Sequence, residues 1–263
     1  MKKRGFTLAE VLITLGIVGV VAALTAPALV MSSRNEANAA RLSTVVSNME
    51  NAFQSAIAQE GVDNLYGTSL WDFGGGDSLG ANDAGIPRFV GRLGQYMIVN
   101  GYKSNQADFY GNGVQVHAMS DTGGVGLATT VTGTPFVIET KNGAAIFMHC
   151  MRNNNLAANK PGAIAAGCSL YTDAAAVAID VNGKNGPNVF GRDIFFFILG
   201  ENGILYPRGS NDTNYFLRSR GDGVWSNGGQ VSSCLDNDKG REVSQKGTGC
   251  TARVIAEGYK INY

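Results

Sequence analysis

Two histidines in 263 residues leave little material for imidazole chemistry. His117 and His149 lie far apart in the sequence, have no triad pattern around them, and read as structural residues. There is no nucleophile elbow, HExxH pair or phosphate loop. Gly74-Gly75-Gly76 lacks the Lys-Ser/Thr that a phosphate loop needs. Asp236 and Asp238 read as a solvated loop, not an acid/base pair. Positive charge is not in excess either, since 21 Lys and Arg balance 21 Asp and Glu. That balance argues against a nucleic-acid binder, and a DNA-uptake role would need exposed cations beside stacking aromatics. No internal repeat or charged tail is present. Nothing in the chain reads as an enzyme.

Cysteine is scarce but even in number: Cys150, Cys168, Cys234 and Cys250. Beyond a membrane anchor, in an oxidising compartment, an even set implies disulfides. Three pairings are possible. Proximity favours Cys150–Cys168 and Cys234–Cys250, each closing a loop of about fifteen residues worth about 3 kcal/mol. A metal reading would recruit His149 beside Cys150 and Cys168, but it lacks a CxxC spacing and a fourth ligand.

What is abundant is apolar sequence at the N-terminus. Lys2-Lys3-Arg4 precedes a stretch from Phe6 to Met31 that is almost wholly apolar. As a helix this stretch is roughly 39 Å long, enough to span a hydrocarbon core of about 30 Å. The basic tripeptide holds the N-terminus in the cytoplasm. Glu10 interrupts the run one turn in. A carboxylate at bilayer depth costs about 2.5–3.5 kcal/mol and needs a partner. An ordinary secretory signal, cut near Ala26-Pro27-Ala28, is opposed by the proline at that site and by Glu10. A plain anchor, with Glu10 snorkelling to the interface, is the other alternative. Either would leave a secreted or anchored binding domain.

Helical periodicity continues past the span. Leu42, Val45, Val46, Met49, Phe53 and Ile57 recur at three- and four-residue steps, while Arg34, Glu36, Arg41, Glu50 and Asn51 fall mainly elsewhere. No helix breaker occurs from Ala28 to Glu60, and Gly61 is a natural stop. Pro27 is expected to kink the helix by removing a hydrogen bond. Gly16 and Gly19 suit either close helix contacts or a lipid-facing surface. Beyond Gly61 the chain is rich in Gly, Asn and Asp, and glycine reaches 36 residues overall. Arg88 to Val99 fits a helix or a strand.

Clearer strands follow. Phe136–Ile138 and Ala145–Met148 flank Lys141-Asn142-Gly143, a hairpin signal. Ala176–Val181 is another strand. Ile194–Leu199 and Ile204–Tyr206 flank Glu201-Asn202-Gly203. A long amphipathic helix followed by strands predicts an α+β fold, with the helix covering one face of an antiparallel sheet. The expected organisation is a leader at 1–5, a transmembrane helix at 6–31, an amphipathic continuation at 32–60 and a β-rich globular part at 61–263.

Gly5-Phe6-Thr7-Leu8-Ala9-Glu10, with the basic leader, Val11-Leu12-Ile13 and Pro27, resembles the N-terminal signal of type IV pilins and type II secretion pseudopilins. Two C-terminal segments resemble the family as well. One runs from Asp180 to Asn188 and then from Gly191 to Phe195; the other starts with Cys250 to Ile255 and ends at Tyr263. The resemblance implies a structural subunit with a pilin fold: a long kinked helix packed on an antiparallel sheet. It implies a prepilin peptidase that cuts between Gly5 and Phe6 and methylates the Phe6 amine. It also implies an inner-membrane platform protein and an assembly ATPase as partners, and assembly with other pilin subunits. Location would be the inner membrane, with the C-terminal part outside the cytoplasm, and then a pilus or pseudopilus. Cleavage turns the Phe6 amide into an amine with a pKa of about 7.7–8.0, which Glu10 of a neighbouring subunit could neutralise. Cys234–Cys250 would bound a loop like the disulfide-closed region of pilins. Some pseudopilins bind calcium in a C-terminal loop; Asp180, Asn182, Asn185 and Asp193 begin such a pattern, but Gly191 stands where a bidentate glutamate is needed. A network of Asx turns is the simpler reading of that loop.

Overall fold

The computed structural model describes residues 7–73, 78–79, 82, 84–111, 116, 135–149, 151–152, 174–207, 247 and 249–261. One helix, α1 (Leu8–Glu60), dominates it. The helix runs unbroken through Pro27 and ends at Gly61, whose φ of 65° is the left-handed conformation that glycine adopts without a Cβ penalty.

The two parts of α1 have opposite surroundings. Residues 8–34 are exposed, and a Cβ added at Gly16 or Gly19 would meet nothing within 4 Å. From Asn38 onward the helix buries Ala39, Leu42, Val45, Val46, Met49, Ala52, Phe53 and Ala56, with Ile57 packed alongside. The stripe read from the sequence is therefore the contact face.

Its partner is a six-stranded antiparallel sheet in the order β2-β3-β4-β6-β7-β8. The strands are β2 (Val99–Lys103), β3 (Phe136–Thr140), β4 (Ala145–His149), β6 (Ala175–Asp180), β7 (Ile194–Leu199) and β8 (Leu205–Pro207). A separate two-stranded pair joins β1 (Ser78–Leu79) to β5 (Met151–Arg152). Both expected hairpins form: Val137 faces Phe147 across β3–β4, and Ile198 faces Tyr206 across β7–β8. The ambiguous stretch after Arg88 is divided: α2 (Ile86–Leu93) is a helix with Pro87 in its first turn, and β2 begins six residues after it.

Both faces of the sheet are buried. Phe136, Ile138, Ile146, Met148, Val177, Ile179, Phe195, Phe197 and Leu199 pack toward α1. The alternate residues Val137, Phe147, Ala176, Ala178, Ile194, Phe196 and Ile198 form a second core with Phe190 and with Phe109 and Tyr110 of α3 (Gln106–Tyr110). A strand buried on both sides must be apolar at every position, which is why β7 reads Ile-Phe-Phe-Phe-Ile-Leu without alternation.

The glycine- and asparagine-rich segment after α1 is not mere loop. Two 3-10 turns (Leu65–Gly67 and Ser69–Trp71) fold back on α1 and place Trp71 between Phe53, Phe73 and Phe89 at centroid distances of 6.3, 5.9 and 5.9 Å. A last helix, α4 (Cys250–Ala256), closes the domain beside β7.

Candidate functional site

Of the residues expected to carry processing, Gly5 and Phe6 lie outside the described residues, and Glu10 stands in the first turn of α1. Thr7 is the N-cap. Its backbone N–H and its hydroxyl donate to Glu10 Oε2 at 2.8 and 2.9 Å, and the Glu10 N–H donates to Thr7 Oγ1 at 3.3 Å. This is a capping box, in which two otherwise unpartnered donors at the helix start are satisfied reciprocally. The carboxylate therefore has a partner within its own chain. The signal was present in the sequence as Thr7-Leu8-Ala9-Glu10, a threonine followed three residues later by glutamate ahead of an apolar run.

Behind this cap, α1 presents an exposed apolar surface long enough to cross a membrane. Val11, Leu12, Ile13, Leu15, Ile17, Val18 and Leu24 are all exposed. An apolar area of this size on a protein surface marks contact with lipid or with other apolar helices. The two C-terminal segments singled out in the sequence meet at the other limit of this surface. The Asn38 amide donates to the Arg192 carbonyl at 3.2 Å, and the Asn35 amide donates to the Ile261 carbonyl at 3.1 Å. Among the described residues, the domain grips α1 from Asn35 onward and leaves residues 8–34 exposed.

Residues 1–26 match the family model described as a prokaryotic N-terminal methylation motif. The chain opens with a prepilin-type signal. The exposed apolar helix that continues from this signal supports membrane anchoring. The long helix on an antiparallel sheet is an α+β arrangement consistent with a pilin-like fold. No curated protein and no solved structure matches the chain.

The loop between β6 and β7 is built around two buried carboxylates, neither of them exposed to solvent. Asp180 Oδ1 accepts from the N–H groups of Asn182 (3.1 Å) and Gly183 (2.8 Å), and its Oδ2 accepts from the Tyr110 hydroxyl at 2.6 Å. Asp193 accepts from the N–H groups of Asn188 (2.8 Å) and Val189 and from the Asn182 amide at 3.3 Å. Of the four residues of the calcium-like pattern, Asp180, Asn182 and Asp193 thus converge. Asn185 does not; its amide donates to the Asn182 carbonyl at 3.2 Å on the exposed side. Asn182 Oδ1 and Asn188 Oδ1 are buried acceptors without a hydrogen-bond partner. Tyr110, which joins the network from α3, carried no sequence signal.

Gly191 docks this loop on α4. Its φ is 81°, and an added Cβ would lie 2.8 Å from Cys250 Cβ and 2.9 Å from the Gly247 carbonyl oxygen. The Phe196 N–H donates to the Thr251 hydroxyl at 2.9 Å beside it. Cys250 is buried and disulfide-bonded; Cys150, Cys168 and Cys234 lie outside the described residues, as do His117, Gly74 to Gly76, Asp236 and Asp238. His149 is a buried residue of β4, opposite Ala176.

Burial raises the pKa of both aspartates, against the hydrogen-bond donors that lower it, and the Asp193 charge adds to the rise at Asp180. Asp180 is held well above its usual range, and Asp193 is raised to about 6. An acid whose folded pKa is raised contributes stability that is complete below its unfolded pKa and is lost as pH rises through the folded one. The domain should therefore lose on the order of 2–3 kcal/mol between pH 4 and pH 7 through Asp193. Chemical denaturation across that range measures the slope. Asp193→Asn should make the slope shallower, leaving the part that Asp180 carries; an unchanged slope in that variant would locate the effect elsewhere.

Proposed function

We propose that this protein is a structural subunit, pilin or pseudopilin, of a type IV pilus or a type II secretion pseudopilus. The single observation that carries the reading is the prepilin-type signal at residues 1–26, which leads into an apolar helix that its own domain leaves uncovered. A prepilin peptidase cuts between Gly5 and Phe6 and methylates the Phe6 amine. An inner-membrane platform protein and a cytoplasmic assembly ATPase then drive the exposed halves of α1 out of lipid and against those of neighbouring subunits. Before assembly the chain sits in the inner membrane, with its globular part outside the cytoplasm. Removing Lys2, Lys3 and Arg4 with the leader takes the formal charge from 0 to −3. The role is non-catalytic, and no nucleic-acid partner is implied.

In this reading Glu10 has two successive partners. In the isolated chain it caps its own helix through Thr7. In the fibre it neutralises the Phe6 amine of a neighbour, where a buried unpaired charge costs about 3–5 kcal/mol. The cysteines pair as Cys150–Cys168 and Cys234–Cys250, the second pair tethering α4; peptide mapping without reduction tests both, and any other linkage overturns the assignment. The β6–β7 loop is a hydrogen-bonded brace whose carboxylates are engaged by backbone and tyrosine donors. The orphaned Asn182 and Asn188 oxygens favour a second reading in which the loop also takes calcium. Melting in calcium against EGTA separates the two, since only a cation site shifts.

Gly5→Val tests the processing step. The branched side chain should crowd the scissile position, and unprocessed precursor should accumulate in membranes; mature-size protein with a methylated Phe6 in this variant would overturn the reading. Glu10→Ala tests assembly. It should be cleaved and retained in membranes yet yield little fibre, measured in sheared surface fractions. Thr7→Ala is the control, because it weakens the cap by about 1 kcal/mol but keeps the carboxylate. Equal fibre loss in both variants would assign the defect to the helix end instead of the charge.

A further inference from the structure

We propose that the end of the globular domain next to the apolar helix is a docking surface for anionic lipid headgroups, formed by Arg34, Arg41, Arg192 and Lys260. The proposal rests on the membrane reading above and adds to it a lipid preference held by the folded domain.

Placement comes first. Arg34 follows the expected end of the span at Met31 by three residues, about 4.5 Å along the helix. Arg34, Asn38 and Arg41 stand at i, i+4 and i+7, so both arginines flank the residue whose amide holds the Arg192 carbonyl. The neighbouring Asn35 holds the Ile261 carbonyl, which brings Lys260 to the same end. Cations from three separated parts of the chain are thus gathered within about three turns, roughly 15 Å, of the membrane exit.

Their charges are also uncommitted. Among the described residues, Arg88, Arg92, Lys103 and Arg253 form ion pairs, and these four do not. Arg34, Arg41 and Lys260 are exposed, and Arg192 is half-exposed with its Nε buried and without a hydrogen-bond partner. Of the nearby acids among the described residues, Glu257 is bonded to Arg253 at 2.8 Å, Glu50 accepts from the Leu205 N–H at 2.9 Å, Asp193 is buried and engaged by backbone N–H groups, and Glu36 is exposed on the opposite face of α1 from Arg34 and Arg41. After leader removal the whole chain is net negative, so an anionic bilayer would repel most of it. A positive end directed at the bilayer reverses that locally. Exposed charges act over roughly 8–10 Å at physiological salt, and long basic side chains can extend toward the headgroups. Basic residues beside a span attract anionic lipid in this way.

The test uses the full chain reconstituted into vesicles of phosphatidylcholine, or of equal parts phosphatidylcholine and phosphatidylglycerol. Hydrogen exchange is read at residues 32–41, 189–193 and 255–261. Exchange there should slow about 3- to 10-fold on the phosphatidylglycerol vesicles at low salt. The slowing should vanish at high salt and in the R34Q/R41Q/K260Q variant, whose melting in detergent should match wild type. Equal exchange on both vesicle types, or slowing that survives in the variant, overturns the proposal. Slowing that follows protein density and ignores the headgroup assigns the surface to an acidic patch on a second copy and also overturns it. A chain that floats with neither vesicle type overturns the membrane reading itself.

Discussion

From Asn38 to Ala56, α1 is buried along one face in the sheet; from Leu8 to Arg34 it is exposed, with nothing among the described residues covering it. A rigid helix shared between two surroundings is the constraint on which the rest depends. The sheet must be wide enough to cover the second half, and the domain must stop before the first. The stop is made by two asparagine amides, Asn35 and Asn38, which hold the carbonyls of Ile261 and Arg192. Apolar side chains at those two positions would leave carbonyls without donors; longer ones would push the domain away from the helix.

The brace between β6 and β7 links this grip to the core. Asp180 and Asp193 are costly to bury, and they are tolerated because backbone amides, the Asn182 amide and the Tyr110 hydroxyl converge on them. The same loop carries Gly191 onto Cys250 and Arg192 onto Asn38, so the network positions the C-terminal helix and the base of the domain together. Asp180 sits on the face of β6 turned away from α1, where Tyr110 and Phe147 stack at 5.6 Å. The second core therefore seals the brace from water, which is also why both acids are driven toward the protonated form.

At the start of α1, Thr7 and Glu10 form a capping box, and the proposed function gives that carboxylate a second stage. A capping box satisfies the helix end in a lone subunit. A fibre contact would draw the same carboxylate to another chain's new amine. Under the proposed function the exchange would be between a local hydrogen bond worth about 1 kcal/mol and an ion pair in a low-dielectric bundle, and cleavage at Gly5 would tip it.

The sequence by itself determined the elements whose signals are local. The apolar run from Phe6 and the stripe from Leu42 to Ile57 specify the helix; Gly61 ends it; Asn142-Gly143 and Asn202-Gly203 turn the two hairpins. The prepilin-type signal is likewise contiguous, so it was legible residue by residue. Strand order, the burial of the sheet's second face and the packing of Trp71 were not legible, because each depends on contacts between residues far apart in the chain. The same holds for Tyr110, which meets Asp180 across seventy positions. Arg192 and Lys260 are unremarkable in the sequence and acquire a place only when two asparagines bring their backbones to the helix. Periodicity reports which face of an element is apolar; only the tertiary structure decides what that face meets.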